Sequence, residues 1–155
     1  MDVQKLQCTL VPLTDAKLFW VTFSGPLSLG RLTRAHQLYL RHPAYVSGMD
    51  ELLDFSGTSL SSLKKPQLDL LRQYMLAQPE IVLGRTAMVV NTELEYGIGR
   101  MVSAMVEFDV PLQRFVSRSV ADALEWLRPG EGDQLTALHD AQAAQGIEPL
   151  DLSRP

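Results

Sequence analysis

At 155 residues the chain is long enough for one domain with a sizeable core, and short for two. It is 46% hydrophobic and 21% charged, an ordinary globular composition, and its net charge of −4 argues against a general nucleic-acid binder. The single cysteine, Cys8, excludes an intrachain disulfide, and no apolar run approaches the ~18 residues of a membrane span.

In chain order, Leu6 to Leu13 and Lys17 to Gly25 are strand-like runs separated by Thr14-Asp15-Ala16, which reads as an antiparallel hairpin. Phe19, Val21 and Phe23 fall on one face of the second run, and Leu18, Trp20 and Thr22 on the other. Apolar residues on both faces predict an interior strand, and Pro12 places the first strand at the sheet edge. A helix is predicted from about Ser28 to Arg41, with Leu29, Leu32, Ala35 and Tyr39 on one stripe, stopped by Pro43. A short strand, Met49 to Phe55, ends at Ser56-Gly57. Pro66 suits the first turn of the next helix, Gln67 to about Gln78, in which Leu68, Leu71 and Met75 face inward.

The clearest pattern is a βαβα unit from Gly84 to Pro129. Ala87 to Val90 is a continuous apolar run, predicted to be the central strand of a parallel sheet. Thr92 and Glu95 form a capping-box pattern opening a helix to about Phe108, with Leu94, Ile98, Met101, Val102 and Met105 at helical spacing. A strand, Leu112 to Val116, leads to a helix capped by Ser119, with Val120, Ala123, Leu124 and Leu127 as its buried stripe. The pattern thus divides into a domain over 1–129 and a polar extension over 130–155, with a helix from Asp133 to about Gln145 stopped by Gly146.

The order ββαβαβαβα predicts an α/β fold with a mainly parallel sheet, an N-terminal hairpin and flanking helices. In such sheets ligands meet the carboxyl ends of the strands. This makes Asp54, Phe55, Ser56, Asn91, Thr92 and Ser117 the candidate binding residues. Each also has a structural use, in a turn or a cap. The glycines of Tyr96-Gly97-Ile98-Gly99-Arg100 lie inside a helix, where a phosphate loop would precede it, so they read as close helix packing. His36, His42 and His139 are far apart in sequence with no ligand spacing, so neither a metal nor a cofactor is expected. The N-terminal MDVQKLQCTL has no charged segment followed by an apolar one, so no signal peptide and a cytoplasmic location are expected.

Four segments resemble the SpoIIAA-like (STAS-like) family: WVTFSGPLS, HPAYVSGMDELLDFSG, GRTAMVVNTELEYGIGRMVSAM and QRFVSRSVADALEWL. With the hairpin they span about residues 5 to 128. The resemblance implies a STAS-like fold and a non-enzymatic regulatory or binding role. Better-known relatives are anti-sigma-factor antagonists switched by serine phosphorylation; for other members, binding of lipids or other small apolar molecules has been suggested. The switched antagonists carry Asp-Ser-Ser-Gly after a central strand. This chain has Thr58-Ser59-Leu60-Ser61-Ser62 there, so Ser59, Ser61 and Ser62 are phosphosite candidates by loop position alone. The expected partner is a protein segment, a second copy of the chain in a homodimer, or a small amphiphilic ligand. An enzyme using Asp54 as acid or base is the alternative. A deep pocket with a perturbed carboxylate would favour the enzyme, and an open apolar groove the binder.

Overall fold

The computed structural model describes residues 5–77, 84–107 and 113–153. In chain order these hold β1 (Gln7–Leu13), β2 (Leu18–Ser24), α1 (Leu29–Leu40), β3 (Asp50–Gly57), α2 (Lys65–Leu76), β4 (Thr86–Val89), α3 (Glu93–Glu107), β5 (Arg114–Ser117), α4 (Val120–Leu127) and α5 (Gly132–Ala143). Leu112, Phe108 and Gln78, expected as element ends, lie outside the described residues, as does the side chain of Met105.

β1 and β2 pair antiparallel from Gln7↔Ser24 to Leu13↔Leu18. A 3-10 turn, Thr14–Ala16, connects them and is closed by Lys17 at φ 52°. Each later strand adds parallel to its predecessor, and the sheet order is β1-β2-β3-β4-β5. This corrects the expected placement of Ala87 to Val90: β3 is central and β4 is next to the β5 edge. The apolar run of β4 reflects cover on both faces, which a penultimate strand also has. All four of its residues are buried.

Strands that march in one direction with right-handed crossovers put every crossover helix on the same face. Accordingly, α1, α2 and α3 cover one face through Ala35, Tyr39, Leu68, Ile98 and Val102, packed on Cys8, Leu10, Phe19, Val21, Phe23, Phe55 and Met88. The other face carries Val11, Leu13, Leu18, Trp20, Leu52, Ala87 and Val89, and is covered by α4 and α5 through Ala123, Leu124, Leu127 and Leu135. The segment after Pro129 is thus packed on the body. His139 stacks on Trp20 with ring centroids 4.0 Å apart, and Gln142 Nε2 donates to Pro12 O at 3.0 Å. Further on, Leu150 N donates to Cys8 O at 2.8 Å, so the tail lies against β1 and blunts an open sheet edge. Cys8 is fully buried, and burial pushes its thiol up to about 12, which leaves it unreactive.

α3 sits differently from the expected stripe. Leu94 and Met101 are 66% and 46% exposed. Glu95, Gly99 and Ser103 point inward instead, with Ile98 and Val102 beside them. The reason is Gly99: a Cβ there would stand 3.0 Å from Val116 Cγ1, so the helix rests directly on β5. Gly97 is exposed, and a Cβ there would meet nothing within 4 Å. Two substitutions two residues apart should therefore act in opposite directions. Gly97→Ala is expected to stabilise by about 0.5–1 kcal/mol through helix propensity. Gly99→Val is expected to cost about 1–3 kcal/mol by overpacking against Val116. Urea midpoints check both, and equal shifts of the same sign would refute the assigned orientation of α3.

Candidate functional site

The strand register determines what faces α1, α2 and α3. On that side Phe19, Glu51, Thr86 and Arg114 form one row across β2 to β5, and Val21, Leu53, Met88 and Val116 form the next. Beyond them Phe55 stacks on Phe23, with ring centroids 4.7 Å apart and planes 4° from parallel. Of these, Glu51, Leu53, Met88, Arg114 and the stacked Phe23 and Phe55 floor a cavity of about 90 Å³, partly open to solvent. Its walls are Leu32, Thr33, His36 and Tyr39 from α1, Leu71, Tyr74 and Met75 from α2, and Val102 from α3. The lining is mainly apolar, and its few polar groups are grouped in contacts of two or three.

Glu51 is 2% exposed. Its Oε2 accepts from Tyr39 Oη at 3.2 Å, and its Oε1 makes no hydrogen bond among the described residues. Burial pushes the Glu51 carboxyl up to about 7, against the pull of Arg114 and the Tyr39 hydrogen bond; the neighbouring Asp50 adds to the rise. The Tyr39 hydroxyl is itself held well above its usual range by burial and by Glu51. His36 Nδ1 lies 2.7 Å from Tyr74 Oη, which also donates to Thr33 O at 3.4 Å. His36 Nε2 is buried and makes no hydrogen bond among the described residues. Burial, and secondarily Arg114, lower His36 to about 4, so its imidazole is neutral at pH 7.

Of the six residues expected to bind at the strand ends, the cavity includes Phe55. The other five have their polar groups engaged in turns and caps. Asp54 Oδ1 accepts from Ser56 N at 2.9 Å and from Ser56 Oγ at 2.5 Å, an Asx turn at the end of β3. Asn91 Nδ2 donates to Ser56 O, joining the ends of β3 and β4. Thr92 Oγ1 accepts from Glu95 N at 3.1 Å and donates to Glu95 Oε1 at 2.9 Å; Glu95 Oε2 in turn accepts from Leu60 N at 3.0 Å. Ser117 Oγ accepts from Ser119 N at 3.0 Å and donates to Ser119 O at 3.1 Å. Ser59, Ser61 and Ser62 are exposed, with Ser59 Oγ 2.8 Å from Ser61 Oγ. The sheet has no point at which strand order reverses, so the crevice that gathers ligands in doubly wound sheets does not arise among the described strands.

The polar residues of the cavity were not reached from sequence. One signal was present: Glu51 shares the parity of Leu53 and Phe55, so a carboxylate falls on the apolar side of its strand. His36 likewise sits one position after Ala35, at the border of the α1 stripe. Arg114 carried no such signal, since its meeting with Glu51 depends on register across Thr86.

Among the described residues no group of three or more His, Cys, Asp or Glu could hold a metal ion, and no helix is long and apolar enough to cross a membrane.

No family model matches the chain, and no curated protein matches it. Among solved structures it is similar to an uncharacterized protein of the DUF3478 family with a SpoIIAA-like fold from Shewanella loihica PV-4. The two are 18% identical over 82% of this chain and 97% of that one, with a TM-score of 0.48.

Proposed function

We propose that the protein is a binding module that holds a small amphiphilic molecule in the cavity under α1, α2 and α3. The observation that carries this is the mainly apolar cavity, about 90 Å³, with the stacked Phe23 and Phe55 on its floor and a hydrogen-bonding Glu51 within it. Apolar walls with a small number of placed polar groups are the usual design of a small-molecule site. The strand-end residues contribute Phe55 and otherwise hold the loops around β3 and β4.

The enzymatic alternative moves from Asp54 to Glu51. Asp54 is held in the Ser56 turn, whereas Glu51 is buried at the cavity with its carboxyl raised to about 7. A perturbed carboxylate favours an acid or base role. Against it, the hydrogen-bond partner of Glu51 is Tyr39, whose hydroxyl is held protonated by burial, and among the described residues no nucleophile is hydrogen-bonded to it. Binding without chemistry is the better-supported reading. Serine phosphorylation at Ser59, Ser61 or Ser62 would add charge beside the Leu60–Glu95 hydrogen bond, which gives such a modification a route to α3.

The test is an NMR chemical-shift screen with short amphiphiles and nucleotides. Amphiphiles are expected to move the amides of Leu53, Phe55, Met88 and Val102. Shifts confined to Asn91, Thr92 and Ser117 would overturn the cavity assignment, and turnover of any compound would overturn the non-enzymatic reading.

A further inference from the structure

We propose that the occupant of the cavity is a neutral hydroxyl compound, a short-chain alcohol whose hydroxyl meets Glu51 Oε1 while its alkyl part lies on the Phe23–Phe55 floor. This rests on the binding reading above and names the ligand class for it.

The first ground is hydrogen bonding. Glu51 Oε1 and His36 Nε2 are buried polar atoms without a hydrogen bond among the described residues, and both residues line the same cavity. Buried polar groups are nearly always partnered, so each exception needs an explanation, and a ligand that bonds one of them supplies it. Thr86 and Ser103 also have buried hydroxyls without a partner, but neither lines the cavity.

The second ground is charge. Glu51 and Arg114 place opposite charges on one small lining. An ionic head group of either sign is repelled by one member of this pair as it is attracted by the other, and it would also lose its hydration on entry. A neutral head avoids both penalties. A hydroxyl has a further advantage because it both donates and accepts. It can donate to Glu51 when the carboxyl is ionised and accept from it when protonated, and it can serve either tautomer of the neutral His36.

The third ground is size. A cavity of about 150 Å³ admits benzene in a well-studied engineered case. At about 90 Å³ this one suits a slimmer body, and an alkyl chain can leave by the open side. Leu53, Met88 and Val102 give that chain apolar contact on the side away from Glu51.

The experiment titrates four probes of one size into the full chain, followed by NMR shifts at Leu53, Phe55 and Met88: butan-1-ol, 1-chlorobutane, butanoate and butylammonium. Butan-1-ol is expected to bind at least about fivefold more tightly than the other three, the worth of roughly one net hydrogen bond. Glu51→Met should bring butan-1-ol and 1-chlorobutane to within about twofold, whereas Glu51→Gln, which keeps a hydrogen-bonding end, should preserve the preference. Equal binding of butan-1-ol and 1-chlorobutane to the wild-type protein would overturn the hydroxyl assignment and leave the cavity a binding site. Tightest binding of either ion would overturn the neutral class. If no probe moves the cavity amides, the binding reading itself falls. The wild-type comparison stands alone should the Glu51→Met variant not fold.

Discussion

Glu51→Gln is expected to be more stable than the wild-type protein at pH 8 by about 3 kcal/mol, with the advantage vanishing below pH 4.5. Burial raises the carboxyl from its ordinary 4.5 to about 7 in the folded chain, so the native state holds this proton more tightly than the unfolded one. The stability contributed by that proton is complete below pH 4.5 and is lost as pH rises through 7. Glutamine does not titrate and can still accept from Tyr39. The charged and titratable groups acting on Glu51, namely Tyr39, Arg114 and Asp50, remain in both proteins. His36 works in the opposite sense. Its folded value near 4 lies below its ordinary 6.5, so the wild-type protein loses stability as pH falls from 6.5 to 4. The two slopes cancel between pH 4.5 and 6.5. In the variant the His36 slope stands alone, and stability should climb across that interval. Urea unfolding at half-unit steps from pH 4 to 8 measures the difference, in which all other carboxylates cancel. A difference independent of pH would show that Glu51 is solvated and would remove the electrostatic basis of the cavity argument.

The second large effect lies one residue before Glu51, on the opposite face of the sheet. Asp50, 8% exposed, accepts from Arg85 N at 2.5 Å through Oδ1 and from Arg128 Nη1 through Oδ2. Arg128 also donates to Ala16 O at 2.8 Å, and Arg85 to Trp126 O at 3.1 Å. One carboxylate thus joins the starts of β3 and β4, the hairpin turn and the last turn of α4. Asp50→Ala removes the shared acceptor and leaves the Arg128 guanidinium, whose side chain is 22% exposed, without its counter-charge. The expected cost is about 3–5 kcal/mol, the range for breaking one side of a buried pair, or a melting decrease on the order of 10 °C. Asp50→Asn should fall between, since it can still accept from Arg85 N. A loss below about 1 kcal/mol would class the cluster with ordinary surface pairs.

The periodicities that were legible in the sequence were those set by neighbours along the chain. The two faces of β2, the edge position implied by Pro12, and the caps Thr92 and Ser119 depend on local alternation and local hydrogen bonds, and they recur in the structure. Residues such as Glu51 and Arg114 are different. They meet through β4, and their joint surroundings depend on how three strands align. The orientation of α3 turned on Gly99 resting against Val116, and an apolar count favoured Leu94 and Met101 instead. The strand-end candidates were placed at the expected edge, but side-chain type could not reveal that Asp54, Asn91 and Ser117 spend their polar atoms on the backbone around them.

The one-way march of the strands also sets an order of events during synthesis. The helices that cover the first face are made between the strands, so that face acquires its cover as it grows. The second face, with Trp20, Leu52 and Val89, depends on α4 and α5, which are translated after every strand. A nascent chain that has just released β5 therefore carries a finished sheet with one bare apolar side. Such surface promotes association while it lasts. Stalling or premature termination after Ser117 would prolong that state, which makes the closing helices the segment that decides between a folded chain and a sticky intermediate.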